Sequence, residues 1–160
     1  RAWILFMNRQ YDASIEQCLK TLETDRNFMF SYMILTLDYR RLGMHDKFVD
    51  VVGRFLSLCG AGSEVVADLN HIYQTSGING AHRWFAVTGV HYTKQTYSIP
   101  YFQAAAYAEI GEKDKAFDCL EQIVQMRSNY SVHIGVDPDF DSLRSDARFA
   151  DLVKRVGLVN

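Results

Sequence analysis

Proline occurs only twice in the 160 residues, at Pro100 and Pro138, and cysteine three times. No apolar run reaches the roughly 18 to 20 residues that a membrane-crossing helix needs, and no secretory signal pattern opens the chain. Two prolines exclude a proline-rich linker or a collagen-like repeat. With 13% aromatic and 22% charged residues, the chain also has enough apolar area to offset the entropy of ordering, which excludes disorder. Cys18, Cys59 and Cys119 contain no C-x-x-C pair, and an odd number cannot close into a full set of intrachain disulfides. They read as reduced packing residues and favour the cytoplasm, or the periplasm if the parent protein is tethered to a membrane. An excess of one charge is missing too. Against 19 Asp and Glu stand 17 Lys and Arg, so there is no electrostatic footprint for nucleic acid or an anionic membrane. The tight basic pairs, Arg40-Arg41 and Lys154-Arg155, read as solvated helix ends.

Catalytic and ligand-binding motifs are missing as well. Asp137, Asp139 and Asp141 open like a calcium loop, but Ser142 stands where the sharp-turn glycine belongs and Arg148 where the bidentate glutamate should be. Turn formation and capping explain them better. "GAGSEV", residues 60 to 65, begins like a dinucleotide loop, yet Val65 replaces the third glycine and a helix precedes it. His82 and His91 lie nine residues apart, on opposite sides of a helix, with His71 on the helix before, which argues against zinc. No phosphate loop, nucleophile elbow or H-E-x-x-H pair occurs. The expectation is a non-enzymatic chain without a cofactor or metal.

What the chain does have is a repeat. The helical segments "LTLDYRRLG", "NHIYQTSG" and "AAYAEIG" end on Gly43, Gly77 and Gly111, at one constant interval, and the same step back from Gly43 reaches Arg9. Tyr39, Tyr73 and Tyr107 each precede their glycine by one helical turn. After the turn, Ser14, Phe48 and Ala116 are equivalent, followed by Ile15, Val49 and Phe117. A unit is therefore a helix closed by glycine in a left-handed conformation, a charged turn, and a second helix. In "GEKDKAF" Asp114 caps or favours that second helix, Ala116 allows close approach, and Phe117, Leu120, Ile123 and Val124 form its apolar stripe. The third unit is irregular. Its second helix is expected after Asn79-Gly80, with either Ala81 or His82 at the small-residue place.

This pattern, with its 34-residue period, resembles the tetratricopeptide repeat family over residues 1 to 127, most closely in "YFQAAAYAEIGEKDKAFDCLEQIVQ". Ser14 and Phe48 depart from the usual small alanine, and Arg26 from the proline that usually closes a unit. The resemblance implies an all-α fold, an α-α superhelix or solenoid of about four helix pairs in one domain. Its units would span about 1–27, 28–61, 62–96 and 97–130, followed by a tail and capping helix in 131–160. "VDPDFDSLRSDARFADLVKRVGL", residues 136 to 158, is similar to the tail that ends such regions in many multidomain bacterial signalling proteins. There Ser145 or Asp146 would cap a last helix, Phe149, Leu152, Val153 and Val156 would seal it, and Gly157 would end it. The start at Arg1, straight into the apolar "AWILFM", points to a piece of a longer protein.

Stacked helix pairs curve, and their first helices line a concave surface. On the second unit Tyr32, Leu35, Thr36 and Tyr39 would pack inward, while Phe30, Met33, Leu37 and Arg41 would face the groove. Their equivalents are Glu64, Ala67, His71 and Thr75, then Ser98, Tyr101, Ala105 and Glu109. The expected partner-binding residues are thus Phe30, Met33, Leu37, Arg40, Arg41, His71, Tyr101 and Glu109. The alternative is that Trp3, Phe6, Met7, Phe30 and Met33 bury one another as core. The expected function is to hold a protein or peptide partner for a larger bacterial regulatory protein. Two other readings stay open: a homo-oligomerisation module, and a small-ligand sensor domain of a transcription regulator.

Overall fold

The computed structural model describes residues 1–93 and 99–157. Among the described residues every regular element is helical: α1 (Ala2–Met7), α2 (Tyr11–Thr24), α3 (Met29–Arg41), α4 (His45–Leu58), α5 (Ser63–Val87), α6 (Ile99–Glu109), α7 (Lys113–Gln125) and α8 (Ala147–Arg155). Short 3-10 turns occupy Gly89–Thr93, Asn129–His133 and Pro138–Leu143. The chain divides into two compact units, Arg1–Ala81 and His82–Asn160.

The repeat in the sequence is a repeat of helix boundaries. α1 ends at Met7, α3 one period on at Arg41, and α6 two periods after that at Glu109. The second helices α2, α4 and α7 begin at Tyr11, His45 and Lys113, in the same register. One closure recurs between them. The Gly43 N–H donates to the Arg40 carbonyl (3.1 Å) and the Met44 N–H to that of Tyr39 (2.9 Å). Gly111 and Glu112 repeat this onto Ala108 and Tyr107, and Arg9 and Gln10 onto Phe6 and Leu5. These paired bonds satisfy the carbonyls a helix end leaves open, provided the closing residue turns left-handed. Gly43 and Gly111 do so at φ 65° and 77°, and Arg9 does so at φ 61° despite its side chain; Gly77 shares the positive φ, 66°, but with an extended ψ of −165°.

In the first compact unit, Arg1–Ala81, α3 packs against α1, α2 and α4, and its residues from Met33 to Arg40 are all buried. Around it lie Phe6, Cys18 and Leu56, with no exposed surface. Ser14, at the small-residue place of α2, is buried and donates its hydroxyl to the Ala2 carbonyl (3.1 Å). That bond satisfies a polar group which alanine would not bring. Lys47 Nζ sits 5.5 Å from the Tyr39 ring centre, and two periods on Lys115 Nζ sits 5.4 Å from that of Tyr107.

The third unit corrects one boundary. The chain breaks at Gly77 (φ 66°, ψ −165°), and Asn79 and Gly80 are already helical. The second helix therefore starts ahead of them. A Cβ on Gly80 would come within 2.4 Å of the Ser76 Cβ, so glycine here permits a close approach and is no turn. Ala81 and His82 are both buried; the step of one period from Phe48 falls on His82.

In the second compact unit, His82–Asn160, α6 packs on α7 and on the turn at Pro138–Leu143, and α7 on α8. Ala104, Ala105, Ala106 and Ala108 are all buried, and their small side chains let neighbouring elements approach α6. Ala116, Phe117, Leu120 and Ile123 of α7 are buried as their spacing predicts. Glu112 precedes α7 without a side-chain cap, while Asp114 sits in its first turn and pairs with Arg148 (2.8 Å). Asp114 is thus no cap, but its charge in the first turn favours the start of α7, the other half of the expectation. The tail does cap itself: Asp146 Oδ1 accepts the Arg148 N–H (3.0 Å) ahead of α8, and Gly157 follows it at φ 76°. α8 begins one period after α7, so the cadence runs into the tail, with two 3-10 turns in place of a first helix.

Candidate interaction surface

α3 carries five of the eight expected binding residues and buries three of them. Met33 is 6% exposed, Leu37 3% and Arg40 8%, which makes them core within the first unit and no surface for a partner. From Met33 to Arg40 the helix is bounded by three others and has no free face, so over that stretch the split into a packing stripe and a groove stripe does not survive. Arg40 and Arg41 do stand in the last turn of α3, where positive charge complements the helix C-terminus. Arg41 is half-buried.

Phe30 is different. It is 45% exposed, and its ring lies 6.3 Å from that of Trp3, which in turn lies 5.9 Å from the buried Phe6. Phe6 leads on to Tyr11 at 5.8 Å. The two alternatives for this group are thus divided among its members: Phe6 and Met33 are core, while Phe30 is an aromatic surface resting on a core. Phe28 and Met29 are exposed beside it, because all three residues precede or open α3 where its neighbours do not yet enclose it. The run "NFMF" carries that signal in sequence. On α5, Glu64, Ala67, His71 and Thr75 are all exposed, so His71 belongs to a polar surface.

In the second unit Tyr101 is 1% exposed and also leaves the binding set. Its hydroxyl donates to Asp137 Oδ2, and its ring stacks edge-on to Phe140 (5.3 Å) and against Tyr130 (5.0 Å). Burial first, then the Asp137 charge, pushes its pKa well above the ordinary tyrosine value of 10.0. Asp137 Oδ1 accepts the Asp139 N–H (2.8 Å), the capping role read from the sequence. Glu109 is exposed and Ala105 is buried, and Ser98 lies outside the described residues.

No family model, curated protein or solved structure matches this chain.

Burial, then the charge of Asp38, raises the Cys18 thiol to about 12, and burial raises that of Cys119 to about 11. Both are thus held as thiols, the unreactive form. Among the described residues no three His, Cys, Asp or Glu are grouped to hold a metal ion. No described helix is long and apolar enough to cross a membrane. What the surface offers is aromatic contact area at the exposed Phe30, backed by the half-buried Trp3.

Proposed function

We propose that this chain is a non-enzymatic interaction module of the tetratricopeptide type, its helix pairs stacked as a superhelix, which holds a protein or peptide partner for a larger bacterial regulatory protein. The observation that carries this reading is the exposed Phe30 ring supported by Trp3 on first helices whose ends recur at a fixed period. An apolar partner side chain placed on Phe30 would gain burial against a ring already held by its neighbours, at little cost in ordering.

Selection of a displayed peptide library on the immobilised domain tests this. The expected result is enrichment of apolar peptides whose affinity falls about ten-fold or more with Phe30→Asp, a loss of about 1.4 kcal/mol, while the helical circular dichroism is unchanged. Failure to enrich any peptide, or equal affinity for Phe30→Asp, overturns it.

A second reading, self-association, is favoured by Ile4 of α1, which is 63% exposed although its counterparts one and three periods on, Asp38 and Ala106, are fully buried. Sedimentation velocity over a wide concentration range should then show a dimer that Ile4→Glu abolishes. A monomer at every concentration rules this reading out.

A further inference from the structure

We draw no further inference here: the strongest candidate, the apolar face of α1 at Ile4, occupies a repeat position that is buried in α3 and α6, but nothing in the structure shows what covers it.

Discussion

Arg9 stands in a left-handed turn where the later units have glycine, and its backbone closes α1 with the same two hydrogen bonds. The turn is therefore fixed by the repeat and not by the residue type. A Cβ at Gly111 would meet nothing within 4 Å, so alanine there would suffer only from its dihedral angles. The expected cost of Gly111→Ala is about 1 kcal/mol, the ordinary strain of a side chain in this region. Urea denaturation measures it; an unchanged midpoint would contradict the left-handed closure. The glycine positions were legible in sequence because the requirement is local. Arg9 was legible only through the repeat spacing, since nothing about arginine asks for positive φ.

Among the elements, α7 was readable and α3 was not, for one physical reason. α7 has a polar side facing water, so the spacing of Phe117, Leu120 and Ile123 marks its buried face. α3 is enclosed by α1, α2 and α4, so burial runs around it and periodicity cannot separate Met33 and Leu37 from Tyr39. The tail shows the same contrast. Asp146 as a helix cap is a local signal, whereas the bond from Tyr101 to Asp137 joins α6 to a turn 36 residues away. α8 is similarly fastened to α7 by Arg148 with Asp114 and by Arg155 with Glu121, both pairs spanning one period. These pairs are exposed and contribute little against the burial of Phe149, Leu152 and Val153. Arg148 also holds the Asp146 carboxyl down to about 2, so the cap persists as its charged form well into acid.

Tyr101→Phe tests the tail's attachment. Removing the hydroxyl from a buried carboxylate should cost about 1 to 3 kcal/mol at neutral pH. Because the folded state binds the Tyr101 proton more tightly than the unfolded chain, its stabilisation is complete below pH 10 and fades as pH rises beyond it. The raised Cys18, Cys119, Tyr39 and Tyr130 act in the same direction. Urea midpoints across the alkaline range should fall less steeply in Tyr101→Phe than in the parent. Identical slopes would mean that Tyr101 titrates as a free phenol.

At the scale of the molecule, two compact units share one register of helix ends, from Met7 to the start of α8 at Ala147. That register depends only on where helices end, which is why the glycine spacing exposes it before any side-chain contact is known. The interaction surface is less legible, because exposure depends on which helices enclose a residue. Phe30 and Met33 stand one turn apart on α3, and only Phe30 reaches the surface. Backbone NMR chemical shifts of the isolated chain test the central claim most directly, that its helices close at the interval read from the glycines. They should show helices ending at Met7, Arg41 and Glu109, with positive φ at Arg9, Gly43, Gly77 and Gly111. Extended shifts within these segments, or an unbroken helix through Gly77, would contradict it.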